Sequence, residues 1–166
     1  EHVGVKNLAK YFSVVHDRLK DDGRLLLQWC GLRRGGEEGV PPVGMRPEDM
    51  VWGLFMNKYI FPGADASLPL SDMSKAIEKA GFEIHSMENV SVHYMLTIQR
   101  WHENWVKNRE LVLDRYGERW FRLFHLFLAW SWRIAAQGTS ACFQVVAHKN
   151  LDRFDRRSLT LDHAAE

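Results

Sequence analysis

The polar side chains best placed to do chemistry lie where the predicted strands end. Glu1 follows one presumed strand, and Gln28 and Cys30 close the next. Tyr94 stands at the end of a further predicted strand. Because open α/β sheets bind ligands at the carboxyl edge of their strands, these side chains could converge on one crevice as a catalytic site. A purely structural interpretation stays open, since strand ends often carry such residues without catalysing anything.

The sequence contains no metal-binding or C-x-x-C motif that would indicate a different kind of site. His102 and Glu103 match the beginning of the H-E-x-x-H zinc motif, but the position where the second His would stand is Val106. We therefore predict no metal site. Cys30 and Cys142 lack C-x-x-C spacing, which favours small buried thiols in a reducing compartment over a disulfide or a zinc site.

The composition is that of an ordinary globular protein. The 166 residues include 22 Lys and Arg against 21 Asp and Glu, a net charge of +1, so we predict no nucleic-acid partner. Seven residues are Trp, and the most apolar stretch spans 120–136. Arg122, His125 and Arg133 interrupt that stretch, well short of the ~20 apolar residues of a membrane span. We predict that it does not cross a membrane.

Hydrophobic periodicity and turn residues predict an α/β fold. A helical pattern over 8–19 precedes the apolar run 24–30, which is typical of a central strand covered on both faces. The glycine- and proline-rich segment 31–47 is predicted to be a long surface loop, either a lid or a tolerated insertion. The remaining predicted elements are helices over 48–59, 71–80, 94–108 and 118–136, and strands over 82–92 and 141–148.

The chain reads as part of a larger α/β unit. It opens on what looks like the end of a strand and contains no G-x-G-x-x-G turn, so we expect the segment that cradles a nucleotide-like cofactor to lie upstream. The polar segment 151–166 is predicted to be a frayed tail.

The two helical stretches within 94–137 are rich in aromatic residues. Their rings could be core, or they could line a channel for a long hydrocarbon. Basic residues alternate with these rings, a composition that suits the headgroup level of a bilayer but equally a solvated helix face. They are Lys107, Arg109, Arg115, Arg119 and Arg122.

Ordered motifs along nearly the whole chain resemble one family. They include E-H-V-G at 1–4, N-K-Y-I-F-P-G at 57–63, G-F-E at 81–83 and H-Y-x-x-T-I-x-x-W at 93–101. Together they resemble the C-terminal half of the cyclopropane fatty acid synthase family. The strings VWGLFMNKYIFPGADASLPL, GERWFRLFHLFLAWS and FQVVAHKN are similar to its fungal-type sphingolipid C9-methyltransferase branch.

This resemblance implies the C-terminal half of a class I, Rossmann-like methyltransferase over 1–150, with 94–137 as a helical lipid-pocket insertion. S-adenosylmethionine would bind to the first half of the sheet, and a lipid double bond would lie against the second. Methyl transfer to an alkene carbon would leave a carbocation on the lipid chain. Proton loss, to a bound bicarbonate in cyclopropane synthases, would then give a cyclopropane or, in the sphingolipid branch, a methyl-branched double bond.

The resemblance also implies roles for the strand-end residues. Glu1, Cys30 and Tyr94 stand at three of the four family positions that hold the bicarbonate. The third of the four, at Cys30, acts through a backbone group. Gln28 stands where the family has His, and a neutral amide keeps a donor but cannot become positively charged. We therefore predict a product other than a cyclopropane.

Aromatic faces would stabilise the carbocation in this scheme. The candidates are Tyr59, Phe61, Tyr94 and Trp101, and Trp105 is a further candidate for substrate binding.

The expected function is therefore methyl transfer from S-adenosylmethionine to a double bond in a sphingoid or fatty acyl chain. The partners would be a lipid substrate and, peripherally, the cytosolic face of a membrane, the endoplasmic reticulum in a eukaryote. The chain alone would be inactive. A non-catalytic lipid-binding or membrane-docking module is the alternative from another class, and a small-molecule methyltransferase with a pocket too short for an acyl chain is the alternative among enzymes.

Overall fold

The computed structural model describes residues 2–32, 47–64 and 68–159. The described helices are α1 (Leu8–Arg18), α2 (Pro47–Phe55, continued by a π-helical turn Met56–Ile60), α3 (Leu70–Lys79), α4 (Ser91–Lys107) and α5 (Arg109–Gln137). The described strands are β1 (Arg24–Leu32), β2 (Phe82–Asn89) and β3 (Ser140–Lys149). Short 3-10 turns span Val5–Asn7 and Arg156–Leu159. The structure thus confirms the α/β prediction.

The described strands form an antiparallel sheet in the order β1-β3-β2. Residues with odd numbers in β1 face one side, where Trp29 is buried, and residues with even numbers face the other. Leu26, on the even side, is exposed. The prediction that both faces of this strand are covered therefore does not hold within the described residues.

The core lies between the odd-numbered face of the sheet and helices α1 and α3. Phe12 of α1, Ile77 of α3 and Val145 of β3 are completely buried in it. Gly31 is essential to this packing because a Cβ at that position would lie 2.0 Å from the carbonyl oxygen of Leu68. The segment leading into α3 therefore crosses directly over the end of β1.

Helices α4 and α5 form an antiparallel pair with two interruptions. One lies at Asn108, where the predicted helix 94–108 ends. The other is a kink inside α5 at Gly117, with φ 79° and ψ 168°, just before the predicted helix 118–136. A glycine at positive φ interrupts the helical hydrogen bonds locally, but helical residues continue on both sides of it.

Three further expectations are corrected or lie outside the described residues. Tyr94 belongs to the first turn of α4 and not to the end of a strand. Within the predicted tail, residues 151–159 are packed rather than frayed, with the Phe154 ring stacked 3.9 Å from that of His148 and Leu159 buried. The rest of that tail, 160–166, lies outside the described residues. Most of the predicted loop, 33–46, lies outside the described residues. None of the described helices combines the length and apolar character that a membrane span needs.

Candidate active site

A cavity of about 480 Å³ lies at the carboxyl end of β1, between the sheet and the helices α2, α4 and α5. Its volume is in the range of about 300–1,000 Å³ that is usual for small-molecule sites. Its lining is mostly apolar and includes Trp52, Leu54, Phe61, Ile98, Trp101, Phe127 and Leu128. The polar side chains on its wall are His2, Cys30, Asn57, Tyr94, Ser131 and Ser140.

Four of the residues singled out from the sequence lie on this cavity. Cys30 reaches it from β1, Phe61 from the turn after α2, and Tyr94 and Trp101 from α4. The spacing of Tyr94, Ile98 and Trp101 is that of one helical face, which explains why all three point to the same space.

The first turn of α4 is attached to the sheet next to the cavity. The hydroxyl oxygen of Ser91 accepts a 3.0 Å hydrogen bond from the backbone N–H of Cys142 in β3. The backbone N–H of Val90 donates to the carbonyl oxygen of Cys142 at 2.9 Å. Since Tyr94 follows Ser91 by one turn, these bonds determine where its phenol stands relative to β1.

Two predicted substrate residues lie elsewhere. Tyr59 is exposed, with its ring 5.6 Å from that of Phe55. Trp105 is between α4 and α5, where its Nε1 donates a 3.1 Å hydrogen bond to the carbonyl oxygen of Phe121. The ring of Trp105 also stacks on that of Phe121. Neither side chain is part of the cavity lining that the structure describes.

Gln28 is on the same face of β1 as Cys30, but outside the cavity lining that the structure describes. Its Oε1 accepts a 2.8 Å hydrogen bond from Nε2 of Gln144, directly opposite in β3. This bond orients the Gln28 amide, so its own N–H groups are directed away from Gln144. Glu1 lies outside the described residues. Its neighbour His2 lines the cavity, where the His2 ring meets that of Phe61 edge-on at 5.3 Å.

Several lining residues were not singled out from the sequence. Trp52 is buried, and its Nε1 has no hydrogen-bond partner among the described residues. Asn57 holds the following turn, because its Nδ2 donates to the carbonyl oxygen of Ala64 at 3.0 Å. The lining positions Phe127, Leu128, Ser131 and Ala135 of α5 share one helical face, a periodic signal that could have identified them.

Apart from His102 on α4, whose pKa burial lowers, the groups with perturbed pKa values lie at the far end of β3. A hydrogen bond from Arg156 lowers the pKa of Glu83, and burial lowers the pKa of His148. A hydrogen bond from Lys149 lowers the pKa of Asp21. Within residues 2–32, 47–64 and 68–159, no group of three His, Cys, Asp or Glu is arranged to hold a metal. Ion pairs of Arg153 with Asp21 and of Arg156 with Glu83 therefore link the segment after β3 to the turn before β1 and to β2. The cavity wall, in contrast, is nearly uncharged.

This arrangement suits an apolar chain that reacts through a positively charged intermediate. Aromatic rings from two parts of the chain face the same space, Phe61 from the turn after α2 and Tyr94 and Trp101 from α4. Their faces attract a cation by roughly 0.5–2 kcal/mol each where ring and charge are well placed. The apolar lining limits the water that would otherwise quench such a cation.

The sequence model of the family described as mycolic acid cyclopropane synthetase matches residues 1–145. The chain belongs to this family. A sphingolipid C9-methyltransferase of Komagataella phaffii is 47% identical over 156 residues, 94% of this chain. The cyclopropane-fatty-acyl-phospholipid synthase of Escherichia coli K12 is 30% identical over 128 residues, 77% of this chain. The chain spans about 30% of the length of each of these relatives.

A solved structure of the same family shares the fold. The mycolic acid cyclopropane synthase CmaA1, described as complexed with SAH and CTAB, superposes with a TM-score of 0.80 at 22% identity. The match covers 90% of this chain and 52% of that one. The class I methyltransferase fold and the family resemblance predicted from the sequence are thus confirmed.

Proposed function

We propose that the protein transfers a methyl group from S-adenosylmethionine to a carbon–carbon double bond of a lipid chain. The observation that carries this proposal is the apolar cavity on which Cys30, Phe61, Tyr94 and Trp101 meet. The named relatives, methyltransferases and synthases, favour an enzyme over a non-catalytic lipid-binding module, which they do not support.

The residues of this chain would bind the lipid and protect the reacting carbon. The lipid chain would lie between α4 and α5 on one side and α2 on the other, with its double bond near the Tyr94 ring. Phe61, Tyr94 and Trp101 would stabilise positive charge as it develops on the chain. The same rings would orient the double bond and exclude water from it.

S-adenosylmethionine is proposed from the family, and no residue of this chain is assigned to it. When bound, it supplies an electrophilic methyl group. The SAH with which CmaA1 is complexed is in keeping with this cofactor. The chain carries no G-x-G-x-x-G turn, so the residues present do not by themselves form its cradle.

A proton must leave the lipid after the methyl group is transferred. We propose that Glu1, Tyr94 and the backbone of Cys30 hold a small anion such as bicarbonate, or act through water, to accept it. Gln28 lies outside the described cavity lining but on the same face of β1 as Cys30, and we propose that it donates an amide N–H to this anion while its carbonyl oxygen accepts from Gln144. An amide in place of an imidazole changes the charge at this site, and we propose on that basis a methyl-branched product instead of a cyclopropane.

We propose a sphingoid base as the substrate, because identity to the sphingolipid relative is 47% and to the phospholipid synthase 30%. The test is to express the full-length protein in cells that supply both unsaturated sphingolipids and phospholipids. Lipid mass spectrometry should find sphingolipids heavier by one methylene unit, and fragmentation should locate a methyl branch. Cyclopropane phospholipids as the main product would contradict the substrate assignment, and an unchanged lipid profile would contradict the activity.

We further propose that the cavity mouth contacts a membrane surface, at the cytosolic face of the endoplasmic reticulum in a eukaryote. Two lining residues are well exposed, Leu54 at 73% and Trp101 at 52%. Val51 continues the exposed apolar face of α2. Lys58 and Arg100 directly follow and precede the lining residues Asn57 and Trp101 in the sequence. Each such positive charge is worth about 1 kcal/mol against an anionic lipid surface.

The membrane proposal has a matched control on the opposite side of the sheet. Val51 on α2 and Val14 on α1 are 56% and 51% exposed. Val51→Glu should slow methylation of substrate embedded in anionic vesicles but not of the same substrate dispersed in detergent. Val14→Glu should leave both rates unchanged. Equal vesicle rates for the two variants would show that this rim does not meet the bilayer.

A further inference from the structure

Cys30 and Cys142 are directly opposite each other in the sheet. The first is in β1 and the second in β3, and the strand register pairs their Cα atoms. Neither is in a disulfide in the described part of the chain. The missing C-x-x-C spacing favours two small buried thiols over a disulfide. The strand pairing brings them together.

The backbone hydrogen bonds show which kind of pair this is. The N–H and the C=O of Cys142 bond to Ser91 and Val90, which lie on the β2 side of β3. In an antiparallel sheet the two backbone groups of a residue point to the same side, so neither group of Cys142 points toward Cys30. The cysteines therefore form a non-hydrogen-bonded pair, in which Cα atoms are about 4.5 Å apart and side chains approach most closely.

This geometry is within reach of a disulfide. Disulfides form when the Cα atoms are about 4.4–6.8 Å apart. The next pair on the same face, Gln28 and Gln144, already touches through its side chains at 2.8 Å. On the other face the rings of Trp29 and Phe143 lie 5.5 Å apart and hold the register. A bond between the two sulfur atoms thus needs no change in strand pairing.

The two thiols differ in their access to an oxidant. Cys142 is 0% exposed. Cys30 is partly exposed and lies on the cavity wall. A small oxidant that enters the cavity therefore meets Cys30 first, with Cys142 held behind it as a second thiol.

We propose that Cys30 and Cys142 are a reversible oxidation site. A hydroperoxide oxidises the Cys30 thiol to a sulfenic acid and is itself reduced to an alcohol, or to water in the case of hydrogen peroxide. The Cys142 thiol then attacks that sulfur, the S–S bond forms and water leaves. A thiol reductant reverses the step by exchange. Disulfides in reducing compartments are usually transient ones with a catalytic or sensing role.

Formation of the disulfide would change the proposed active site in two ways. It moves the Cys30 sulfur off the cavity wall and toward β3. It also strains Cys142, whose backbone anchors the start of α4 one turn before Tyr94. Methyl transfer should therefore fall in the oxidised protein. This effect, unlike the chemistry of the thiols, rests on the proposed function.

The test is made on the full-length protein. The protein is treated with hydrogen peroxide, its remaining thiols are alkylated, and a non-reducing digest is analysed by mass spectrometry. We expect a peptide pair linked through Cys30 and Cys142, lighter by two hydrogens than the separate peptides, and its loss after dithiothreitol. Methyl transfer should fall in proportion to the linked fraction and recover with the reductant.

Cys142→Ala is the matched variant, because it keeps the backbone bonds of residue 142 and because Cys142 does not itself line the cavity. It should retain the activity of the reduced protein and lose the reversible inactivation. Recovery of Cys30 only as a free thiol, a sulfinic acid or a sulfonic acid would overturn the proposal. Equal reversible inactivation of this variant would also overturn it. Should the reduced protein show no methyl transfer, the proposed function fails, but the linked peptide in the wild type still decides the oxidation site.

Discussion

Gly53 offers the sharpest test of the cavity as the lipid site. It lies in α2 and lines the cavity, and a Cβ built there meets no described atom within 4 Å. A side chain at this position would therefore enter the space proposed for the lipid without disturbing the surrounding packing. Because glycine costs about 0.8–1.0 kcal/mol relative to alanine inside a helix, replacing it should also stabilise the fold.

The size of the expected effect follows from the apolar surface that the lipid would lose. We estimate that the leucine side chain of Gly53→Leu excludes about three methylene groups of a bound chain. At about 0.8 kcal/mol per buried methylene, the loss is about 2.4 kcal/mol. This corresponds to roughly a fiftyfold lower kcat/KM. Gly53→Ala adds a single methyl group, so its loss should be only about fourfold.

The assay compares kcat/KM and thermal unfolding for the wild type and the two variants of the full-length protein. Both variants should unfold at or above the wild-type temperature, so that lost activity cannot be attributed to lost structure. A leucine variant that is folded and turns over the lipid at nearly the wild-type kcat/KM would refute the assignment of this cavity to the substrate.

Three other outcomes follow from the structure. Tyr94→Phe keeps the ring but removes the hydroxyl proposed to hold the anion, so turnover should fall about a hundredfold or more. Calorimetry should find the cofactor affinity unchanged. Near-normal turnover would show that the Tyr94 hydroxyl has no role in the reaction. Burial lowers the pKa of His148 in the folded state, so below about pH 6.5 the unfolded chain binds more protons than the folded one. The free energy of unfolding, measured with urea, should therefore decrease from pH 7 to pH 5. His148→Gln should reduce that decrease without abolishing it, because burial also lowers the pKa of His102; an unchanged slope would contradict this explanation. Ile77→Ala, at a fully buried site, should lower the free energy of unfolding by about 2–5 kcal/mol. Val14→Ala, at an exposed site, should lower it by less than about 0.5 kcal/mol. Similar urea midpoints for the two variants would contradict the core described.

The strands and most helices were predictable because their periodicity and their Gly boundaries agree. Gly23 and Gly81 precede β1 and β2, and both strands begin where the sequence predicts. The end of β2 was not predictable from alternation alone. There the side chain of Asn89 accepts a hydrogen bond from the N–H of Ser91 at 3.0 Å, a local turn that ends the strand and starts α4.

The site was predictable only in part, because it depends on contacts between distant segments. Cys30, Phe61 and Trp101 line the cavity, and Tyr94 does so from a helix rather than from a strand. Trp105 is also a tryptophan and follows Trp101 by about one turn of α4, but its indole N–H donates to the carbonyl oxygen of Phe121 between α4 and α5. A sequence shows that a ring is on a helix, whereas the choice between a core face and a cavity face depends on the neighbouring helix.

The position of β3 between β1 and β2 affects how the nascent chain can fold. Gln28 and Gln144, which are hydrogen-bonded in the finished sheet, are 116 positions apart in sequence. Until the ribosome has delivered β3, the described edges of β1 and β2 have no partner strand within this sheet, and their apolar faces stay open to chaperones or to aggregation. Long-range pairing of this kind also folds slowly. The yield of folded protein in a foreign host should therefore depend on the rate and temperature of synthesis more than on the stability of the folded protein.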